Sequence, residues 1–201
     1  MDGRMIEFPK LVKGVVGWRL PYFYAGIDYI KPKSICEIGC YRGKTSFTLC
    51  RYALQYTKKL HFAGYDLFEF ATKETDKIEI NGRQHGNYVR TKLAMDKIKR
   101  DCDPHRPKFY QYKDTKFTYE LHKGFTQDTL EKRQFDFVFI DGGHSYETVK
   151  HDYEKVQGSK LIIFDDYNLP SVKQFCDAIG AIPLQQKVGN RTEEHLAYIL
   201  S

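Results

Sequence analysis

An acid and an imidazole follow a buried apolar run in the second half of the chain. Residues 137–140 are aromatic or β-branched without interruption, which is typical of a strand buried on both faces. The run ends in Asp141, two glycines and His144, and Ser145 then begins a segment with apolar residues at helical spacing. Because open α/β sheets bind ligands at the carboxyl ends of their strands, we expect Asp141 and His144 at the mouth of a site. The structural alternative is that Asp141 only caps the following helix.

A second acidic pair follows the next predicted strand. Residues 161–164 are apolar, and Asp165 and Asp166 come directly after them. Neighbouring parallel strands end at the same edge of a sheet, so we expect this pair to converge with Asp141. Three carboxylates that lie together repel each other unless a cation neutralises them. Oxygen ligands suit Mg²⁺ better than Zn²⁺, so the pattern predicts a magnesium site. The alternative is that one of the pair caps the helix expected near Pro170.

A glycine-containing loop joins the first predicted strand, 34–38, to the first predicted helix, 43–56. Gly39 and Gly43 allow the backbone to turn sharply and to approach a ligand closely. The free N–H groups of the helix beyond Gly43 can bind an anion such as a carboxylate. The loop therefore predicts a cofactor-binding turn.

Two familiar nucleotide-binding patterns come close to this loop but differ from it. The dinucleotide fingerprint requires a glycine at the position of Tyr41. The phosphate loop of nucleoside triphosphatases shares the Gly43-Lys44-Thr45 ending, but its first glycine would fall at Ile38. A phosphate-loop nucleotide hydrolase remains an alternative, because residues 137–141 resemble the second magnesium-binding strand of those enzymes.

Strand and helix patterns alternate along the chain. Strands are predicted at 34–38, 61–65, 118–122, 137–140 and 161–164, and helices at 43–56, 87–100, 171–179 and after Ser145. Two further extended segments, 182–188 and 195–200, flank a Gly-Asn-Arg turn that is typical of a hairpin. We therefore predict an α/β fold with a mainly parallel sheet, right-handed crossovers and a C-terminal antiparallel hairpin.

The length predicts a single domain over residues 1–201. Two segments of it stand outside the alternation. Residues 1–33 are rich in aromatic side chains and predict a helix packed beside the sheet, whereas residues 69–108 are polar and charged. The second segment is either a lid or substrate-specific insertion, or an ordinary crossover helix with a long connection.

The composition points to an intracellular protein. The net charge of +6 is spread among interspersed acidic residues, which indicates a solvated surface more than a nucleic-acid partner. The five cysteines form no C-x-x-C pair, which argues against a disulfide framework or a zinc site. No apolar segment approaches membrane-spanning length, and the first thirty residues lack a signal-peptide pattern. We expect a cytoplasmic protein without a membrane partner.

The order of the motifs is similar to that of one enzyme family. Glu37-x-Gly39-x-x-x-Gly43, followed by Asp66 at the end of the next strand, resembles the class I S-adenosylmethionine-dependent methyltransferases. The resemblance implies a Rossmann-like, seven-stranded, mainly parallel sheet with helices on both faces. It also implies that the glycine loop holds the methionine part of the cofactor and that Asp66 accepts hydrogen bonds from the ribose. The adenine is expected beside Phe68 and the 124–126 turn. The implied cofactor-binding residues are Glu37, Gly39, Cys40, Tyr41, Gly43, Ser46, Asp66, Leu67, Phe68, Gly124, Phe125, Thr126 and Asp141.

The segment 140–147 narrows the resemblance. It is similar to the branch that contains bacterial sugar and antibiotic O-methyltransferases and cephalosporin-hydroxylase-like proteins. The resemblance implies that an acid or a nearby histidine is the base; His144 is our first candidate, because imidazole titrates near neutrality, and Asp141 is the second. The implied magnesium ligands are Asp141, Asp165 and Asp166.

The leading hypothesis is therefore a magnesium-dependent O-methyltransferase that acts on a hydroxyl of a small molecule, such as a sugar or a nucleotide-sugar. A non-enzymatic nucleic-acid-binding module on the same core is a further alternative, and it would need a basic aromatic surface on 1–33 or 69–108. Nucleic acid is the less favoured partner, and RNA base methylation in particular is disfavoured because no Asn/Asp-Pro-Pro-aromatic motif follows the fourth strand. Pairing of two copies through the aromatic amino-terminal region stays open.

Overall fold

The computed structural model describes residue 6 and residues 18–79, 85–103, 114–188 and 191–201. The strands are β1 (Ser34–Ile38), β2 (Lys59–Asp66), β3 (Lys116–Lys123), β4 (Phe137–Ile140), β5 (Leu161–Phe164), β6 (Ile182–Val188) and β7 (Arg191–Leu200). The helices are α1 (Leu20–Ile30), α2 (Lys44–Ala53), α3 (Lys73–Ile78), α4 (Tyr88–Asp101), α5 (Thr126–Thr129), α6 (Tyr146–Val156) and α7 (Pro170–Ala178), and a short 3₁₀ helix spans Phe68–Phe70.

The strands form one seven-stranded sheet in the order β3-β2-β1-β4-β5-β7-β6. The pairs from β3 to β5 are parallel, because a crossover returns the chain to the same edge before each new strand. Strand β7 is antiparallel to both β5 and β6, because β6 and β7 form a hairpin. The predicted mainly parallel sheet with a C-terminal antiparallel hairpin is confirmed.

The direction in which strands are added reverses between β1 and β4. From β1 the chain moves outwards to β2 and β3, and it then places β4 on the other side of β1. Open α/β sheets bind ligands in the crevice that such a reversal leaves at the carboxyl ends of the strands. Asp141 donates its backbone N–H to the carbonyl of Ile38, at 2.7 Å, so the loops after β1 and β4 meet at this crevice.

The sheet is covered on both faces, and alternate strand residues point to each cover. One apolar core faces α1, α2 and α4, and the other faces α6 and α7. The first contains Ile35, Phe62, Phe137, Phe139, Leu161 and Ile163, and the second contains Cys36, Ile38, Val138, Ile140, Ile162 and Phe164. Each of the five cysteines, all within the described residues, is a buried free thiol.

Helix α1, in the aromatic amino-terminal segment, packs directly on the central strands. The ring of Phe23 lies 4.7 Å from that of Phe139, centroid to centroid, in an edge-on contact. Gly26 allows this close approach, because a Cβ there would lie 2.6 Å from a methyl carbon of Leu161. The packing holds Arg19, the residue before the first turn of α1, against the acids that follow β4 and β5. Residues 1–5 and 7–17 of the predicted 1–33 segment lie outside the described residues.

The 69–108 segment has two structurally different parts. Helix α4 buries Met95 and Ile98 and packs beside α2, as an ordinary crossover helix does. Helix α3 precedes it, and none of its described side chains is buried. Residues 80–84 and 104–108 of the predicted insertion lie outside the described residues.

Several predicted element bounds differ from the observed ones, and β7 differs most. It begins at Arg191 rather than His195, because Thr192 and Glu193 pair with Lys187 and Gln186 although they show no apolar alternation. The Gly-Asn turn predicted before it lies outside the described residues. Helix α2 ends at Ala53 rather than at residue 56, while β4 and β5 have the predicted bounds.

Gly39 is the tightest point of the junction between β1 and β4. Its φ is +92°, and a Cβ on it would lie 1.9 Å from the backbone carbonyl oxygen of Asp141. We expect Gly39→Ala to lower the free energy of unfolding by several kcal/mol, more than the roughly 1–2 kcal/mol that a left-handed backbone alone costs. Chemical denaturation measures this.

Gly180→Ala is the matched control, because Gly180 has φ +72° and no described atom within 4 Å of the added Cβ. It carries the backbone strain without the clash. Equal losses of stability in the two variants would show that the Gly39 contact is unimportant.

Candidate active site

Asp66, the predicted ribose-binding acid, ends β2 beside the glycine loop. One carboxylate oxygen accepts the backbone N–H of Tyr41 at 2.7 Å, and the other accepts that of Phe68 at 2.5 Å. Burial raises the pKa of Asp66, and these two N–H groups oppose the shift by stabilising the carboxylate. Tyr41 and Phe68 both have positive φ, at 52° and 49°, so the loops at this acid are held in a rare conformation.

Of the residues predicted to surround the adenine, the 124–126 turn lies at the site, whereas Phe68 lies in the core. The 124–126 turn lies beside Asp66, since Gly124 donates its N–H to the Asp66 carbonyl at 3.1 Å. Phe125 leaves this turn with 47% of its surface exposed. The Phe68 side chain is instead fully buried and packs edge-on against Tyr88, so it is part of the core.

Gly39 and Gly43 are each packed closely against another part of the protein. Gly43 has φ 72° and forms the cap before α2, and a Cβ on it would lie 2.8 Å from the Cα of Thr91 in α4. The predicted sharp turns are therefore present at both glycines. Their close neighbours are the β4 loop for Gly39 and α4 for Gly43.

Glu37 is buried in β1 under the glycine loop. Ser46, in the first turn of α2, donates its hydroxyl to a Glu37 carboxylate oxygen. Burial raises the Glu37 pKa to about 8, against the opposing effect of the Ser46 hydrogen bond. Glu37 is therefore mainly a neutral acid at neutral pH in this structure.

Asp141, His144 and Asp166 come together at the carboxyl ends of β4 and β5. Each offers one ligand atom, and these three atoms lie within 4.8 Å of one another. His144 Nε2 lies 2.9 Å from an Asp166 carboxylate oxygen. The structure thus brings together the two candidate bases, His144 and Asp141, and two of the three predicted metal ligands, Asp141 and Asp166.

Asp165 is not one of these three residues; it pairs with Arg19 and contacts Asp141. Arg19 Nη2 is 2.5 Å from Asp165 Oδ2, and Nη1 is 3.4 Å from Asp141 Oδ2. Burial raises the pKa of Asp165 well above its usual range, and the neighbouring Asp141 raises it further. Burial likewise raises the pKa of Asp141, and the guanidinium opposes this. The two acids and the arginine therefore form one coupled unit.

His144 is held at both ring nitrogens. Its Nδ1 lies 2.8 Å from the backbone carbonyl oxygen of Glu79, and its Nε2 faces Asp166. Both partners accept hydrogen bonds, so together they favour the protonated ring. The pKa of His144 is raised, chiefly by the Asp166 carboxylate and against the effect of burial.

The side chains of Asp141, Asp165 and Asp166 do not cap the helices that follow them. Ser145 caps α6, accepting the Thr148 N–H at 3.2 Å. Helix α7 begins after Leu169, which makes no side-chain cap to the described chain. The alternative that these acids serve only as helix caps is therefore wrong.

Sequence reasoning missed two residues of the site, Arg19 and Glu79. Arg19 lies 122 positions from Asp141 in the chain, and Glu79 lies 66 positions from Ser145. Neither belongs to a local motif. The only signal for them was indirect, since crowded acids require a cation and helix α6 requires acceptors at its amino terminus.

The family described as "Methyltransferase domain" matches residues 36–167. That range runs from β1 through the acids that follow β5 and contains the glycine loop, Asp66 and the acid–imidazole group. The chain belongs to this methyltransferase family. The prediction of a class I S-adenosylmethionine-dependent methyltransferase is confirmed.

Solved structures of methyltransferases share the fold. The O-methyltransferase TomG from Streptomyces achromogenes, in complex with S-adenosylmethionine, has a TM-score of 0.56 at 12% identity, over 94% of this chain and 82% of that chain. The O-methyltransferase from Bacillus cereus, in complex with S-adenosylhomocysteine, has a TM-score of 0.57 at 15% identity, over 94% and 83%. The O-methyltransferase NovP has a TM-score of 0.55 at 17% identity, over 90% and 78%. No curated protein gives a significant sequence match to this methyltransferase.

No helix within the described ranges of the methyltransferase is long and apolar enough to cross a membrane.

The raised pKa of Glu37 gives the enzyme a specific dependence of stability on pH. The pKa of Glu37 is about 8 in the folded protein, above the usual 4.5. The contribution of the neutral Glu37 side chain to the free energy of unfolding is therefore complete below pH 4.5 and is lost as the pH rises through 8. We expect Glu37→Gln to remove this loss. The free energy of unfolding of wild type relative to the variant should fall by a few kcal/mol, at about 1.4 kcal/mol per pKa unit.

Denaturation at a series of pH values between 4.5 and 9 measures the difference. Glu154→Gln on exposed α6 is the control and should run parallel to wild type. If Glu37→Gln also runs parallel, Glu37 is ionised in the folded enzyme at neutral pH.

Proposed function

We propose that the enzyme transfers the methyl group of S-adenosylmethionine to a hydroxyl oxygen of a small molecule, such as a sugar or a nucleotide-sugar. The observation that carries the proposal is the group of Asp141, His144 and Asp166 at the carboxyl edge of the sheet, next to the glycine loop. Such a group can take a proton from a hydroxyl, and a divalent cation held by it would stabilise the resulting anion. The fold-sharing relatives named O-methyltransferases support the same reaction.

The cofactor is proposed to lie across the ends of β1, β2 and β4. Asp66 would accept hydrogen bonds from the ribose hydroxyls, and the 124–126 turn beside it would contact the adenine. The loop from Glu37 through Gly39 to Gly43 would hold the methionine part. Ser46 keeps Glu37 in place beneath this loop.

The reaction needs a base that removes the proton of the acceptor hydroxyl. As the oxygen–methyl bond forms, the sulfur–methyl bond breaks, and S-adenosylhomocysteine leaves. His144 is the first candidate for the base, in the form whose Nδ1–H donates to Glu79 and whose Nε2 carries the lone pair. Asp141, with its raised pKa, is the second.

The acid–imidazole group also fits a divalent cation. Two carboxylates and one imidazole converge, and the carbonyl acceptor at Nδ1 leaves the other ring nitrogen as the ligand atom. A bound cation would lower the pKa of a ligated hydroxyl and orient it. We propose that Mg²⁺ or Mn²⁺ would be held by Asp141, His144 and Asp166, with Asp165 neutralised by Arg19 instead. Because a ligated Nε2 cannot accept a proton, His144 would be the base only in the cation-free site.

Cofactor binding tests the proposal through Asp66. We expect wild type to bind S-adenosylmethionine and Asp66→Asn to weaken the binding about 10- to 100-fold, because hydrogen bonds to a charged acceptor are lost. Calorimetric titration measures both affinities.

The exposed Asp114→Asn, at the opposite edge of the sheet, is the control and should bind like wild type. Unchanged affinity in Asp66→Asn would remove the ribose assignment. Absence of binding by wild type would overturn the proposed reaction.

Metal binding distinguishes the group seen here from the all-acid set expected from sequence. With Mn²⁺ as a paramagnetic probe, we expect His144→Ala and Asp166→Asn each to weaken binding by about 10-fold or more, and Asp165→Asn to change it little. Electron paramagnetic resonance of free Mn²⁺ measures this without an acceptor. Loss of binding in Asp165→Asn with retention in His144→Ala would restore the all-acid set.

A further inference from the structure

Glu79 joins the polar insertion to the loop that carries His144. One Glu79 carboxylate oxygen accepts the backbone N–H of Ser145 at 2.9 Å, and the other accepts the Thr148 hydroxyl at 2.7 Å. The Ser145 hydroxyl adds a contact at 3.3 Å. An anion at the amino terminus of an eleven-residue helix is also stabilised by the helix dipole. A residue from a distant segment thus completes the start of α6.

The second glycine after Asp141 makes room for this contact. A Cβ on Gly143 would lie 2.5 Å from a Glu79 carboxylate oxygen and 2.7 Å from the Thr148 methyl group. Gly143 has no positive φ, so its backbone does not itself require glycine. The space beside Gly143 is the feature that glycine supplies here.

The backbone carbonyl of Glu79 determines which ring nitrogen of His144 is available. The Glu79 carbonyl oxygen accepts from Nδ1 at 2.8 Å, so Nδ1 carries a proton. Nε2 is then the nitrogen that faces Asp166 and that is available to exchange a proton. A shift of Glu79 would release both the tautomer and the orientation of the ring.

The polar insertion connects Asp66, the acid proposed to bind the ribose, with His144. It leaves β2 at Asp66, passes through α3 and reaches His144 at Glu79. After residues 80–84, which lie outside the described ranges, Gly86 packs against Asp66: a Cβ on Gly86 would lie 2.8 Å from an Asp66 carboxylate oxygen. Since none of the described α3 side chains is buried, polar contacts hold this helix in place, and such segments open locally at low free energy.

We propose that Glu79 is a positioning residue whose docking on the first turn of α6 closes α3 over bound S-adenosylmethionine and orients His144. The proposal rests on the proposed cofactor site. The cofactor enters and leaves when Glu79 separates from Ser145 and Thr148. Docking is complete only when His144 presents Nε2 to the acceptor, so closure and base orientation occur together.

The release rate of the cofactor tests the closure. We expect Glu79→Gln to raise the dissociation rate of tritiated S-adenosylmethionine about 10- to 100-fold, because an amide N–H₂ group replaces one of the two acceptor oxygens. Glu74→Gln is the matched control, since Glu74 is an exposed residue of α3, the helix that Glu79 directly follows. Its release rate should equal that of wild type. Thermal unfolding checks that both variants are folded.

Gly143→Ala tests the same contact from the other side without changing Glu79. We expect it to raise the release rate to a similar extent, because the added methyl group occupies the place of the carboxylate. In the Glu79→Gln, Gly143→Ala double variant the two effects should not multiply, because both remove one interaction. Multiplicative effects would show that the two residues act independently and would contradict the proposal.

The orientation of His144 has its own readout, which needs neither cofactor nor acceptor. In ¹⁵N spectra recorded at a pH where the imidazole is neutral, wild type should show the proton on Nδ1, whereas Glu79→Gln and Gly143→Ala should show a mixture of tautomers. Unchanged release rates and unchanged ¹⁵N shifts in both variants would overturn the role of Glu79. Failure of wild type to bind S-adenosylmethionine would overturn the cofactor site and the closure over it, while the ¹⁵N shifts would still decide whether Glu79 orients His144.

Discussion

Crowding of acids at one edge of a parallel sheet is the constraint on which the rest of this structure depends. Parallel strands deliver their last residues to the same edge, and here five carboxyl groups arrive in a partly buried crevice. Charges that close raise each other's pKa and oppose folding unless each finds a partner. The partners differ: a proton for Glu37, backbone N–H groups for Asp66, a guanidinium for Asp165 and its neighbour Asp141, and an imidazole for Asp166.

Two of these partners depend on segments outside the sheet. Arg19 is placed by the packing of α1 on β4 and β5, through Phe23 and Gly26. His144 belongs to the β4 loop, but its ring is fixed by Glu79 from the polar insertion. The charge balance of the crevice therefore depends on apolar packing at one side and on a polar contact at the other. The apolar contact is buried in the core, whereas the polar contact is the one that we propose opens.

The sequence was sufficient for the sheet and for the acids, and insufficient for their partners. Strands β4 and β5 were predicted with the observed bounds, because each is a short apolar run that ends abruptly in aspartate. The start of β7 was missed, since its polar residues pair through backbone groups alone. Arg19 and Glu79 could not be found, because side-chain contacts between distant segments leave no local pattern. Asp165 was expected as a metal ligand because it directly follows β5 and because the family resemblance implied it, whereas in the structure Asp165 pairs with Arg19 and Asp166 with His144.

The pairing of Asp165 with Arg19 limits what the remaining group can do. A guanidinium cannot lose its proton in a protein, so it offsets one charge of the Asp141–Asp165 pair at every pH. The remaining negative charge is shared by Asp141, Asp165 and Asp166, and His144 offsets part of it when its ring carries a second proton. A divalent cation that displaced this proton would leave the local charge less negative, which favours an ionised acceptor oxygen. By offsetting the charge of Asp165, Arg19 therefore weakens one of the interactions that raise the pKa of His144.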